Sequence, residues 1–141
     1  ARWAGEDLPQ CQFLWGSVEK LMELPDRSFD GIVLSNILDN LKPTDSRTVL
    51  QETIRLLQPE GKVLIKLNPY LTREQIEAWG VRTIEGDLLD DGLLLWNRTT
   101  EAWQEELQRD FRTVRFEDVY FSEYDQHNRM FLCEALQNAN K

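Results

Sequence analysis

The chain has 141 residues and a net charge of -9 at pH 7, with 41% hydrophobic and 29% charged residues. This composition is typical of one soluble globular domain that buries roughly two-thirds of its unfolded surface. The acidic balance argues against a protein that binds nucleic acid through its phosphates, because neutralising phosphates requires clustered Lys and Arg.

The first predicted elements are short. Ala1 to Ala4 are predicted to finish a helix, since the chain begins without Met and without a turn. Phe13 to Trp15 is predicted as a short strand with a turn after it. Val18 to Leu24 then forms a short helix that Pro25 ends. These elements lead into the most regular part of the sequence.

That regular part consists of two apolar runs with a helical pattern between them. Phe29 to Ser35 is a β-branched and aliphatic strand, and Lys62 to Leu67 is a second one. Asp45 or Ser46 is predicted to cap the helix, and Pro59 stops it. Apolar residues recur at helical spacing on its inner face, namely Val49, Leu50, Ile54 and Leu57. Two strands joined in this way predict a right-handed crossover in a parallel sheet.

A loop and a well-marked helix follow the second strand. Asn68 to Leu71 is the predicted loop, and Thr72 caps the helix, which ends at Gly80. Gln75 lies three residues after Thr72, as in a capping box. Val81 to Asp91 carries turn residues without a clear period, and no element is predicted there.

One further strand and helix are predicted before the end of the chain. Leu93 to Trp96 is a short apolar strand. Thr99 or Thr100 caps the helix after it. Trp103 and Leu107 are four residues apart, which places both on the inner face of that helix.

The chain ends in two predicted strands, Thr113 to Phe121 and Arg129 to Leu136, which are close enough to form an antiparallel hairpin. Cys133 lies in an apolar run and is expected to be buried. With Cys11 as the other cysteine, the chain has neither a disulfide framework nor a metal site. No signal peptide or apolar run of ~20 residues is present, so we expect a cytoplasmic protein with no membrane partner.

Three stretches are informative through their residue identities as well as through their hydrophobic periodicity. They are FLWGSVEKL from Phe13, SFDGIVLS from Ser28 and RLLQPEGKVL from Arg55. Together they closely resemble the class I S-adenosylmethionine-dependent methyltransferases, and the resemblance covers residues 13 to 68 well. It implies an α/β, three-layer, doubly wound Rossmann-like fold with an antiparallel final hairpin. It also implies methyl transfer from S-adenosylmethionine to an unidentified acceptor.

The resemblance also implies where the cofactor is held. Ligands of open parallel sheets bind at the carboxyl ends of the strands. In the family, Ser17 and Val18 would lie against the adenine, and Ser35, Asn36 and Ile37 over the methionine and sulfonium end. The alternatives are an ordinary strand-to-helix turn at the first place and a locally satisfied helix start at the second.

A third strand end supplies the expected substrate pocket. Asn68-Pro69-Tyr70 is similar to the Asn-Pro-Pro-Tyr signature of amino-methylating nucleic-acid methyltransferases, but it lacks one proline and follows a different strand. We therefore expect Asn68 and Tyr70 to line a pocket for a small-molecule substrate rather than nucleic acid. No catalytic residue is assigned, because methyl transfer depends mainly on alignment and exclusion of water.

The family's Gly-x-Gly loop and the acidic residue that holds the ribose have no counterpart among the seven glycines and their neighbours. We therefore expect residues 1–141 to be a single domain, the carboxyl-terminal portion of a longer methyltransferase, truncated and inactive alone. The alternative is a methyltransferase-like interaction module that does not bind cofactor. Without the missing strands, the apolar edge of the Phe29 to Ser35 strand is expected to be unpaired. Either the Phe13 to Trp15 strand pairs with it or, as we favour, a second copy of the chain does, which makes a homodimer.

Overall fold

The computed structural model describes residues 9–136, which form two β-sheets and four α-helices. The predicted helix end at Ala1 to Ala4 lies outside these residues. In chain order the elements are α1 (Val18–Met22), β1 (Phe29–Ser35), a 3-10 helix (Leu38–Asn40), α2 (Pro43–Leu56), β2 (Leu57–Leu67), α3 (Arg73–Trp79), β3 (Arg82–Glu85), β4 (Leu88–Asp90), β5 (Leu94–Trp96), α4 (Thr100–Gln108), β6 (Phe111–Phe121) and β7 (Gln126–Ala135).

The main sheet has four strands in the order β1-β2-β7-β6. Strands β1 and β2 are parallel and are connected through α2, whereas β7 is antiparallel to both β2 and β6. The predicted crossover and the predicted final hairpin are therefore both present. This mixed sheet confirms the α/β, Rossmann-like fold class.

The crossover helix α2 begins earlier than predicted. Lys42 is its N-cap residue and Pro43 its first residue, so the prediction of a cap at Asp45 or Ser46 is wrong. Proline suits the first helical position because its fixed φ is helical and its missing N–H would have no partner there. The helix ends at Leu56, ahead of Pro59, as expected.

Gly61 of β2 lies against the amino end of β1. A Cβ atom on this residue would lie 2.9 Å from the carbonyl oxygen of Gln58 and 3.0 Å from that of Asp30. The register of the two strands shifts between Phe29 and Gly31 at the same place. Glycine is therefore required for β2 to pass beside β1 at its amino end.

The main core lies between the sheet, α2 and α4. Its fully buried residues come from α2, β2, α4 and β7. They include Leu50, Val63, Ile65, Leu67, Trp103, Leu107, Phe131 and Cys133. The predicted burial of Trp103, Leu107 and Cys133 is confirmed. Trp103 also packs edge-on against Trp96, with ring centroids 5.1 Å apart. Such aromatic pairs add to the hydrophobic stabilisation of burial.

The stretch without a predicted element belongs to a second sheet, of order β3-β4-β5. Its three strands are antiparallel and only three or four residues long. Leu71, Leu89 and Leu95 form its small core. Beside it, α3 has the predicted capping box of Thr72 and Gln75, and Gly80 ends the helix in the left-handed conformation.

The predicted strand Phe13 to Trp15 is wrong, because these residues have no regular structure. All three side chains are exposed, and that of Trp15 is 96% exposed. A three-residue strand needs a neighbouring ladder of hydrogen bonds, and within residues 9–136 β1 pairs with β2 alone. The other side of β1 is therefore an open edge, on which Val33 is 64% exposed.

Candidate cofactor and substrate site

The carboxyl end of β1 presents polar side chains on a fixed backbone. Asn36 has the left-handed φ of 54°, and its N–H donates to the carbonyl oxygen of Lys66 at 3.0 Å. Ser35 and Asn36 are exposed, whereas Ile37 is half-buried and packs against the main core. Asn tolerates the left-handed conformation better than most residues. This end of β1 can therefore turn sharply and leave its polar groups free to meet a ligand.

Ser17 and Val18 lie at the start of α1. Ser17 occupies the N-cap position of α1, and its hydroxyl donates to the carboxylate of Glu19, which lowers the pKa of that carboxyl. Val18 is half-buried and packs against the main core. The hydroxyl of Ser17 is thus engaged locally, and because Phe13 to Trp15 forms no strand, the alternative of a strand-to-helix turn has no strand to start from. Their role towards adenine stays a prediction.

Asn68, at the end of β2, is held from two sides. Its N–H and side-chain amide donate to Oδ2 of Asp39, at 2.8 and 3.1 Å, and the amide also donates to Oδ1 of Asn40 at 2.9 Å. Its carbonyl oxygen accepts two bonds from the guanidinium of Arg129, at 2.8 and 3.2 Å. The start of the Asn68 to Leu71 loop is therefore fixed by groups from the 3-10 helix and β7.

Two buried charged residues, Asp39 and Arg129, hold Asn68 in place, and the sequence analysis identified neither of them. Asp39 is fully buried and Arg129 is 3% exposed. Burial is the main cause that raises the pKa of Asp39, and Asn68 and Arg129 act against it; burial also lowers the pKa of Arg129. A signal was present for Asp39, which lies among the apolar residues Ile37, Leu38 and Leu41, where an unpaired charge would be costly. Arg129 only begins an apolar run, which gave no such signal. Oδ1 of Asp39 has no hydrogen-bond partner within the part of the chain that is described.

The loop after Asn68 opens on a cleft of about 340 Å³, here called the aromatic cleft. The segments that line it are the 3-10 helix, the loop after β2, α3, the turn between β4 and β5, and the turn between β6 and β7. The lining residues are Asn40, Asn68, Pro69, Tyr70, Leu71, Gln75, Trp79, Asp91, Leu93, Leu95, Tyr124, Asp125 and Gln126. Tyr70 thus lies on a cavity wall, and its contact with a substrate stays a prediction.

A second cleft, of about 300 Å³, lies at the ends of β1 and β2 and is called the strand-end cleft. Its lining includes Asn36 and Lys66. It shares four residues with the aromatic cleft, namely Asn68, Pro69, Tyr124 and Gln126. The structure therefore brings Asn36, Asn68 and Tyr70 to two adjoining clefts, neither of which includes Ser17 or Val18. What these residues bind stays a prediction.

The described residues contain no group of three His, Cys, Asp or Glu side chains placed to hold a metal ion. Across residues 9–136, no helix has the length and apolar character that crossing a membrane would require. The polar chemistry of the two clefts thus comes from amide, hydroxyl, carboxylate and ammonium groups of the chain.

Comparison with known proteins supports the fold. Residues 1–65 match a family model described as a methyltransferase domain. No curated protein sequence matches the chain. Among solved structures, a protein from Pyrococcus horikoshii OT3 is similar with a TM-score of 0.74 and 16% identity, over 96% of this chain and 65% of that one.

Two similar structures were solved with S-adenosylhomocysteine. One is the 1,6-didemethyltoxoflavin-N1-methyltransferase of Burkholderia thailandensis, with a TM-score of 0.62, 19% identity, and coverage of 83% of this chain and 48% of that one. The other is the N-methyltransferase NodS of Bradyrhizobium japonicum WM9, with a TM-score of 0.63, 14% identity, and coverage of 95% and 60%. The chain thus spans about half to two-thirds of the length of these proteins.

The structural similarity and the sequence match lead to one conclusion. The predicted resemblance is confirmed: this chain has the fold of the class I S-adenosylmethionine-dependent methyltransferases, and its first 65 residues match the methyltransferase-domain family.

Proposed function

We propose that the protein to which this chain belongs transfers a methyl group from S-adenosylmethionine to a small-molecule acceptor. The observation that carries the proposal is the meeting of Asn36 and Asn68 at one cleft, at the carboxyl ends of two parallel strands. Open α/β sheets bind their ligands at this edge. The S-adenosylhomocysteine found in two proteins of the same fold adds support. The cytoplasmic location stays a prediction from the sequence.

The residues present fit the methionine end of such a cofactor. Ser35 and Asn36 offer exposed polar groups, and the bond from Asn36 to Lys66 fixes their backbone. S-adenosylmethionine supplies an activated methyl group, so the protein needs to align the acceptor and exclude water. Asn68 and Tyr70 would orient the acceptor from the adjoining aromatic cleft. The chain has no Gly-x-Gly cluster to approach the rest of the cofactor.

The first prediction is that this chain of 141 residues binds S-adenosylhomocysteine more weakly than micromolar, but at the predicted edge. In nitrogen-15 NMR titration, the amide signals of Asn36 and Asn68 should shift most. Asn36→Gly should reduce these shifts, because it removes the polar side chain and keeps the left-handed backbone. The matched control is Arg27→Gly. Arg27 also has a positive φ, of 52°, but precedes β1 at its other end.

Two results would count against this prediction. Shifts confined to residues away from the ends of β1 and β2 would show that S-adenosylhomocysteine does not bind at the proposed edge. Micromolar affinity in calorimetric titration would contradict the expectation that the chain is an inactive portion of a longer enzyme, although it would support the cofactor itself.

A second candidate function is an interaction module, and the open edge of β1 favours it. Val33 and Phe29 are exposed along this edge, and Phe13, Leu14 and Trp15 are exposed as well. An apolar edge of this kind recruits another strand. We propose that the 141-residue chain self-associates through β1, which would make a homodimer.

Val33→Lys should shift this chain towards monomer in light scattering at high micromolar concentration, because a charged edge strand resists pairing. The control is Val114→Lys, on the opposite edge strand β6, where Val114 is also exposed. A wild-type chain that stays monomeric would rule out the module in this form. An equal response of both variants would place the association elsewhere.

A further inference from the structure

Exposed apolar side chains gather around the aromatic cleft. Tyr70, Trp79, Leu93 and Tyr124 are each between 43% and 70% exposed, and all four line it. They come from four segments that are distant in sequence, so folding has to bring them together. Exposed apolar groups scattered singly need no explanation, whereas a cluster around a cavity indicates a ligand or a partner.

The charges of the cleft have one sign. Asp91 and Asp125 are the charged residues of its lining, and no Lys or Arg is among the lining residues. One oxygen of Asp125 accepts the hydroxyl of Tyr120 at 2.8 Å, and both aspartates are exposed. Carboxylates and the faces of aromatic rings both attract cations. The net charge of -9 acts in the same direction.

The size of the cleft limits its occupant. A volume of about 340 Å³ lies near the lower end of the range for ligand pockets, roughly 300–1,000 Å³. It suits one small molecule better than a peptide or a nucleic-acid strand. The four residues shared with the strand-end cleft place this molecule next to the proposed methyl donor.

We propose that the aromatic cleft binds a small organic cation, an amine with an aromatic body, and that this is the chemical class of the acceptor. Only the identification of this cation as the methyl acceptor rests on the proposed function. The ring of the ligand lies among Tyr70, Trp79 and Tyr124, and its ammonium group faces Asp91 and Asp125. An ammonium nitrogen has no lone pair, so it releases one proton, to one of these carboxylates or to water, before it takes the methyl group and S-adenosylhomocysteine leaves. The side-chain amide of Gln126 is available to its other polar groups, whereas those of Asn40 and Asn68 are already bonded within the chain.

The test compares tryptamine with indole-3-acetate, which share one ring system and carry opposite charges. Each is titrated into the full chain at neutral pH and low salt, without cofactor, and followed by nitrogen-15 NMR. Tryptamine should bind at least about five-fold more tightly, a ratio that modest cation–π and carboxylate contacts supply. Amide signals around Tyr70 and Tyr124 should shift most.

Variants separate the cleft from the general charge of the chain. Asp91→Asn and Asp125→Asn should each lower the preference for tryptamine, and together they should remove most of it. Glu105→Gln is the matched control, since Glu105 is exposed on α4 and does not line the cleft. It removes one negative charge and should leave the preference unchanged.

The inference is overturned if the two indoles bind equally, if neither binds, or if the preference survives the double substitution. Its failure is distinguishable from that of the proposed function. S-adenosylhomocysteine shifts at Asn36 without a tryptamine preference would keep methyl transfer and reject the cationic acceptor. A preference for tryptamine, with no shift of the Asn36 signal on addition of S-adenosylhomocysteine, would support the cation site and reject the proposed cofactor edge.

Discussion

Replacing Arg129 by Ala is expected to lower the free energy of unfolding by about 2–5 kcal/mol, because each carbonyl oxygen left without its donor costs about 1–3 kcal/mol. Arg129 and Asp39 are both buried and meet on Asn68 from opposite sides. The substitution leaves the carbonyl oxygens of Asn68 and Arg98 without their donor and Asp39 without its cation. Urea unfolding measured by circular dichroism gives the value.

The control for this prediction is Arg115→Ala. Arg115 lies on β6, next to β7 in the sheet, and its guanidinium contacts Glu117 on the exposed surface. Exposed ion pairs contribute little, so its loss should be far smaller. Arg129→Lys should fall between wild type and Arg129→Ala, since it keeps the charge but not the planar fork. Equal losses in Arg129→Ala and Arg115→Ala would show that the buried charge stabilises nothing.

Replacing Asp39 by Ala should destabilise the protein by about 2 kcal/mol, because the N–H and the side-chain amide of Asn68 then lose an acceptor. Asp39→Asn should cost less, since its amide oxygen can still accept from the N–H of Asn68 and no charge has to be desolvated. Both substitutions are at the same buried position, so comparing them separates the effect of the hydrogen bond from the effect of the charge. If both cost the same, the hydrogen bond to Asn68 is not the stabilising contact.

The stability of the wild type relative to Asp39→Asn should also depend on pH. Because the pKa of Asp39 is raised in the folded state, the folded protein holds this proton more tightly than the unfolded chain does. Its stabilising contribution is full below the ordinary pKa of Asp and is lost as the pH rises through the raised value. The free energy of unfolding of Asp39→Asn should therefore rise relative to that of the wild type between acidic and neutral pH. A constant difference would contradict this cause.

Both predictions concern the site as well as stability. Asp39 and Arg129 hold Asn68, and Asn68 belongs to both clefts. A network of this kind positions a loop without touching the ligand itself. We therefore expect Asp39→Asn to leave the loop nearly in place and Asp39→Ala to release it. Amide shifts of Asn68 and Tyr70 would report the difference.

Local patterns in the sequence were enough for the elements whose stability is local or strongly periodic. The β1–α2–β2 crossover follows from two apolar runs around an amphipathic helix. The capping box of Thr72 and Gln75 follows from a spacing of three residues, and the final hairpin from two neighbouring strands. Even here boundaries differed. Proline at the first helical position outweighed the usual capping residues at the start of α2. Strand β2 begins at Leu57 and not at Lys62, and β7 begins at Gln126 and not at Arg129.

Tertiary structure decided the elements that depend on a distant partner. Phe13 to Trp15 has strand-like residues but no neighbouring ladder in residues 9–136, so it forms no strand. Strands β3 and β4 are too short to show a period, and the second sheet stabilises them. A short strand is stabilised by its hydrogen-bonded neighbour, which the residues of the strand itself do not specify.

The candidate site divides in the same way. The amino-acid sequence by itself determined which strand ends carry polar groups, and so it indicated Asn36, Asn68 and Tyr70. It did not show that Asp39 and Arg129, which lie 29 and 61 residues from Asn68, meet on its backbone. Nor did it show that Tyr124 closes the same cleft as Tyr70. Contacts of this kind depend on sheet order and on the packing of loops across it, which only the folded chain defines.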